Sequence, residues 1–250
     1  MAAETRYKTG IDVALSYIDN DYKSVNGMSS TLAAQASVEL LNYQSQNGIR
    51  GPIVEIGSFE GRMLIALALA SSADEKIYAF DTFNHPDETQ LDRFRSNIRR
   101  MGIDVSRVVE KKGNSIDYGP WKTKKELGVP ARFIHIDGDH RYNGVMHDLT
   151  LSHRLLKEDG VICMDDVLHP YYPGLTLAAH DYIRSNPDLV VFAVIDRDSL
   201  VAASKYLMCH RNYLGFYQGL ISEKFNNKIC KTTGDFFGNK ALIVSNEVRS

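Results

Sequence analysis

Two short acidic stretches stand out for what they could do together: Ile136-Asp137-Gly138-Asp139-His140 and Met164-Asp165-Asp166. Each follows an apolar run of the kind that forms a strand buried in a parallel sheet. Asp137 and Asp165 are 28 positions apart (165 − 137), room for one crossover helix and a return strand. Neighbouring strands lie about 4.8 Å apart, so if these two pair, two or three carboxylates face one point. Several anions so close cannot all stay ionised unaided: their pKa values rise or a cation binds. Ligands that are all oxygen favour a hard ion, Mg²⁺ first, with Mn²⁺ or Ca²⁺ as alternatives.

A second constellation lies upstream. Val54-Glu55-Ile56-Gly57-Ser58-Phe59-Glu60-Gly61 joins an apolar strand to the start of a helix. Gly57 lets the backbone turn sharply and approach a ligand, because no Cβ obstructs it. The pattern is E-x-G-x-x-x-G, without the G-x-G-x-x-G of dinucleotide binders or the Lys-Ser/Thr of a phosphate loop. An acid beside the turn would repel a pyrophosphate and suits a cationic ligand with an amino group. The next strand ends in Phe80-Asp81, and a carboxylate there can accept both hydroxyls of a ribose. The one after leads into Gly113-Asn114-Ser115, small polar residues able to border an adenine.

An alternation of strands and helices positions these groups. Strands are expected at Pro52–Ile56, Lys76–Phe80, Arg107–Glu110, Arg132–Ile136 and Val161–Met164. Helices are expected at 30–46, 63–71, 91–101 and 143–157, the first capped by Ser29 or Ser30 and stopped by Asn47-Gly48. That order implies right-handed βαβ units and a mostly parallel, doubly wound sheet with helices on both faces. Ligands then bind beyond the carboxyl ends of the strands. After Asp166, Leu189–Ile195 and Ala241–Ser245 complete a seven-stranded count. Between them Tyr206–Phe225 reads as an aromatic helical region whose Tyr206, Tyr213, Phe216 and Tyr217 line an acceptor cleft or a subunit interface, or simply fill the core. Val167–Gly174, with two prolines and two tyrosines, reads as a stiff loop beside the acidic pair.

The 250 residues carry 29 Lys+Arg against 31 Asp+Glu and no long basic run, which argues against nucleic acid or an anionic membrane as partner. Cys163, Cys209 and Cys230 form no CxxC pair, so neither structural zinc nor a disulfide framework is expected. Met1–Arg6 lacks the apolar stretch of a leader, and Met63–Ala70 is too short to span a bilayer. A reducing cytoplasm is the expected location. One domain is expected, with 1–49 as a helical cap, 50–166 as the cofactor-binding core and 167–250 as an acceptor-side tail that completes the sheet.

Val54–Gly61, Asp81 and Gly113–Ser115 resemble the cofactor motifs of class I S-adenosylmethionine-dependent methyltransferases. The resemblance implies a Rossmann-like fold. It also implies that Glu55, Gly57, Ser58 and Gly61 hold the methionine end of S-adenosylmethionine, Asp81 the ribose and Ser115 the adenine, with Asp137 bordering the cofactor. The acidic half resembles the metal-dependent O-methyltransferases, the catechol and caffeoyl-coenzyme A enzymes among them. Asp137, Asp165 and Asp166 fall on their metal positions. Asp166 replaces the usual Asn, which is similar to the macrocin-type sugar O-methyltransferases and shifts the implied acceptor from a catechol towards a sugar or polyketide hydroxyl. His140 stands where the catechol enzymes place a general-base Lys, and its unperturbed pKa of about 6.5 suits that task. Asp139 or a metal-bound Asp137 is the alternative base. His135, inside a strand, and His147 and His153, on a helix, are weaker candidates. A small-molecule hydroxyl is the implied partner, and a homo-oligomer is left open.

Two rival functions share the fold. A hydroxylase-type iron enzyme, similar to the cephalosporin 7-hydroxylase component, would want two histidines and a carboxylate, and Asp139-His140 offers one histidine. A non-catalytic S-adenosylmethionine-binding module would have no use for the acidic cluster.

Overall fold

The helix Arg62–Ala70 (α3) is apolar on every side, and Met63 through Ala70 are all buried. A helix with no polar face needs cover all round. It packs between the strand Ile53–Ile56 (β1) and two outer helices, Ile11–Asn20 (α1) and Thr31–Gln46 (α2). The computed structural model describes residues 8–230 and 233–247. The expected absence of a leader over Met1–Arg6 falls outside them. Ser30 is the cap of α2, its hydroxyl accepting from the Ala33 N–H at 3.0 Å.

The remaining strands are Ile77–Asp81 (β2), Val108–Lys112 (β3), Ala131–Ile136 (β4), Leu156–Val167 (β5), Leu189–Ile195 (β6), Ser204–His210 (β7), Gly234–Phe236 (β8) and Asn239–Val244 (β9). Their order across the sheet is β3-β2-β1-β4-β5-β7-β6-β9-β8. The first five are mutually parallel; β7 runs antiparallel to both β5 and β6, and β9 is parallel to β6. This is the expected Rossmann-like doubly wound sheet, with nine strands instead of seven. The helices Gln90–Arg100 (α4), Pro120–Leu127 (α5), Tyr142–Leu155 (α6), Pro173–Ser185 (α7) and Leu214–Lys224 (α8) complete the chain. One apolar core fills the α1–α4 and α8 face and a second the α6–α7 face. No described helix is long and apolar enough to cross a membrane.

Two further sequence expectations change, and one open alternative is resolved. Tyr206–His210 is strand, not helix: β7 is buried along nearly its whole length on both faces, so it shows no alternation and merges in sequence with α8. The tail aromatics are core: Tyr206 and Tyr217 are buried, and Tyr213 and Phe216 pack against the α1–α4 core. The stiff loop is short, because Pro173 opens α7, where a missing N–H costs nothing.

Candidate active site

A cavity of ≈ 290 Å³ opens beyond the carboxyl ends of β1, β2, β3 and β4. Gly57, Asp81, Ser115, Asp137 and Asp139 line it. A smaller recess adjoins it, bounded by Glu55, Gly57, Ser58 and Asp137. Asp137 and Gly57 therefore belong to both.

Gly57 is obligatory here. Its φ is +86°, and a Cβ would stand 1.8 Å from the Asp137 carbonyl oxygen. The β1 turn and the end of β4 touch backbone to backbone. Gly61, with φ +91°, precedes α3 and lies outside both cavities. Asp81 is pinned by the loops it joins. Its Oδ2 accepts from Phe59 N (2.8 Å), and its Oδ1 from Phe83 N (2.7 Å) and Gln90 Nε2 (3.2 Å). A carboxylate has about four acceptor positions, so a ribose hydroxyl can still bond. Ser115 opens a short helical turn capped by Asn114, and its carbonyl lies 2.9 Å from His147 Nε2. Glu55 is buried; its Oε1 lies 2.8 Å from His135 Nδ1, and its Oε2 has no hydrogen-bond partner.

The acidic half divides in two. Strands β4 and β5 are paired, Ile136 beside Met164, as the spacing required. Yet Asp137, Asp165 and Asp166 do not converge on one point. Asp165 faces inward, where its Oδ2 meets the buried ammonium of Lys205 and lies 3.7 Å from His135 Nε2. Its Oδ1 accepts from Asp166 N at 2.7 Å. Asp166 adopts φ +59°, rare for a residue with a side chain, and turns the other way, its Oδ2 2.7 Å from His140 Nε2. Two donor groups result among the described residues, His135/Asp137/Asp165 and Asp137/His140/Asp166, with Asp137 in both.

Charge explains the division. Burial would lift the Asp165 carboxyl, but Lys205 and His135 hold it far below the usual carboxylate range. Burial would lower the Lys205 ammonium and the His135 imidazole. Asp165 instead holds both up, with Glu55 helping His135. Burial, reinforced by Asp165, pushes Asp137 well above its ordinary value, against the lowering pull of His135 and Lys205. Crowded carboxylates demand a cation or a raised pKa; this chain supplies both. Asp139 is held below its ordinary value by a bidentate hydrogen bond to Arg141, which makes it a poor base. His140 stacks on Tyr172, ring centroids 4.1 Å apart.

Sequence reasoning set His135 aside and missed Lys205. A polar residue inside a fully buried strand was the available signal for His135. Lys205 became visible only once its segment was seen to be a strand beside β5.

A family model described as "Methyltransferase domain" matches residues 54–167. That span runs from β1 to the end of β5 and contains Glu55, Gly57, Asp81, Ser115, Asp137, His140, Asp165 and Asp166, whereas Met28 of the cavity, Tyr172 and Lys205 lie outside it. That match covers a little under half of the chain, and the sheet it spans has the Rossmann-like fold of such domains. Among solved structures, the domain and its flanks are similar to the O-methyltransferase of Bacillus cereus in complex with S-adenosylhomocysteine. That match has TM-score 0.59 and 21% identity over 78% of this chain and 89% of that one. The O-methyltransferase NovP matches with TM-score 0.62 and 14% identity over 80% and 98%. At such identities the likeness carries the fold. An uncharacterized protein of Acanthamoeba polyphaga mimivirus is 28% identical over 113 residues, 45% of this chain, and the match spans half of that protein's length.

Proposed function

We propose that the methyltransferase domain moves a methyl group from S-adenosylmethionine to a hydroxyl of a small molecule. The observation that carries this reading is the continuity of the site. One cavity runs from Asp81 and Ser115 to Asp137, and the His140–Asp166 pair stands beside Asp137 at its far end. The unpartnered Glu55 Oε2 in the adjoining recess suits the ammonium of the methionine end. Asp81 takes the ribose, and the Gly113–Ser115 loop borders the adenine.

The acceptor oxygen attacks the sulfonium methyl carbon in line. The carbon–sulfur bond breaks, and its electron pair leaves neutral S-adenosylhomocysteine. The hydroxyl proton passes to the His140 imidazole, and the imidazolium formed lies against Asp166 Oδ2 and on the Tyr172 ring. Much of the rate comes from holding oxygen, carbon and sulfur aligned at about 3–3.5 Å.

One atom favours a second reading. His140 Nε2 is buried without a properly directed hydrogen bond, and with Asp137 and Asp166 it offers three donor atoms within 4.8 Å of one another. That set fits a divalent cation. The expected set with Asp165 does not, because Lys205 holds that carboxylate. A cation there supplies Lewis-acid polarisation of the acceptor hydroxyl.

Calorimetry with S-adenosylhomocysteine tests the cofactor half. Binding near micromolar, about −8 kcal/mol, is expected, and Asp81→Ala should weaken it by roughly 1–3 kcal/mol. Binding of NAD in its place would overturn it. Turnover on a panel of sugars, vicinal diols and phenols, with and without chelator, decides between base and cation.

A further inference from the structure

At the opposite end of the sheet from the cleft, three side chains converge that the methyl-transfer reading does not use. His153 lies in the last turn of α6, Asp188 immediately precedes β6, and His210 ends β7. Strand β7 runs antiparallel to β5, so Lys205 at its start reaches the acidic site while His210 at its end points away from it. Five residues separate the two (210 − 205), about 17 Å at roughly 3.3 Å per residue.

We propose that His153, Asp188 and His210 form a site for a borderline divalent transition metal, Zn²⁺ in the first instance, with a fourth position open to water. His153 Nε2 is 3.3 Å from Asp188 Oδ2, and His210 Nδ1 is 3.7 Å from the same oxygen. Both separations exceed a charge-assisted hydrogen bond, about 2.7–2.9 Å. The first equals the edge of a tetrahedron whose centre lies about 2.0–2.1 Å from each ligand atom, roughly 3.3–3.4 Å, and the second is a few tenths of an ångström longer. All three donor atoms lie within 4.8 Å of one another. Two imidazoles and one carboxylate suit zinc and its neighbours, whereas Mg²⁺ and Ca²⁺ want oxygen throughout.

The groups around the three donors hold them for this purpose. The other ring nitrogen of His153, Nδ1, lies 3.1 Å from the Tyr182 hydroxyl, the outer contact that fixes which nitrogen of a ligating histidine faces the metal. The Asp188 backbone is fixed by Arg211, whose N–H donates to the Asp188 carbonyl at 2.7 Å, while its Nε and Nη2 donate to the Pro187 carbonyl at 2.9 and 2.8 Å. Leu189 and His210 are register partners, which places Asp188 beside His210. The His153 side chain is 12% exposed and that of Asp188 62%, so the site is anchored on the α6 side and open to solvent on the other. An ion there would tie the end of α6 to the β6–β7 pair.

The test is titration of the whole chain with Zn²⁺, and with Co²⁺ for the visible bands of a four-coordinate ion. It is run on the wild type and again in the His140→Ala background, which removes the nitrogen donor of the Asp137/His140/Asp166 group. One equivalent is expected in that background, with a raised melting temperature. His153→Gln and His210→Gln should each abolish it, and Tyr182→Phe should weaken it roughly tenfold. In chelator the His153 and His210 variants should melt with the parent, which separates metal loss from misfolding. The proposal fails if the parent binds no Zn²⁺ at micromolar concentration. It also fails if binding survives both His153→Gln and His210→Gln, or disappears with His140→Ala alone.

Discussion

Replacing Lys205 by Met tests the internal charge balance most directly. The Lys205 side chain is 0% exposed and that of Asp165 5%, so the pair is screened by almost no water. Met keeps the volume and removes the ammonium, leaving Asp165 buried between His135 and Asp137. Breaking a buried pair by removing one partner costs about 3–5 kcal/mol, a large share of a total stability of about 5–15 kcal/mol. At about 2–4 °C per kcal/mol for a chain of this size, the melting temperature should fall by roughly 6–20 °C. Asp165→Asn should be costly as well, since it strands the ammonium. The Lys205→Met/Asp165→Asn double variant should lose less than the sum, with a coupling of about 0.5–3 kcal/mol. The pH response fixes the sign. In the wild type, Asp165 lies far below its usual range. Its contribution is therefore present above an unfolded value of about 3.9 and is lost as pH falls through the lower folded value. In Lys205→Met only His135 still offsets burial, so the carboxyl's pKa should rise and the deficit should shrink as pH falls. Urea denaturation at several pH values measures all of this. Additive single losses, or a Lys205→Met cost below about 1 kcal/mol, would refute a buried ion pair.

His135 gives a second pH signature. Its folded pKa is raised by Asp165 and Glu55 against the effect of burial. Its contribution is full below the unfolded value of about 6.5 and is lost as pH rises through the folded one, so His135→Gln should flatten that alkaline decline; parallel curves would count against it. Gly57→Ala should lose cofactor binding and at least about 1–2 kcal/mol of stability from the left-handed φ alone, since its Cβ would also collide with the Asp137 carbonyl. A variant that binds S-adenosylhomocysteine normally would contradict the close approach. His140→Ala should lower turnover about 10²–10⁴-fold with cofactor affinity unchanged, and Asp166→Asn should be milder. A loss of cofactor affinity in His140→Ala would place that residue in the wrong half of the site.

By itself the sequence determined the order of strands through β6 and four of the helices between them, α2, α3, α4 and α6, together with the glycine turn after β1 and the pairing of the two acidic strand ends; α1, α5 and α7 it did not mark. These are local facts. Apolar runs of strand length, glycines that the chain must bend through, and carboxylates directly after a strand are all written within a few residues. Residues 204–210 carried no such mark, because a strand buried on both faces has no polar alternation, and a helix follows it directly. Only the tertiary structure decided which way each acid faces. Asp165 and Asp166 are adjacent in the chain, yet Asp165 turns to Lys205, 40 residues further on (205 − 165), and Asp166 to His140. The local pattern could say that crowded carboxylates need a cation. Which cation answers depends on what a distant, antiparallel strand brings beside them, and on a dry interior where one ammonium outweighs the cost of its own burial.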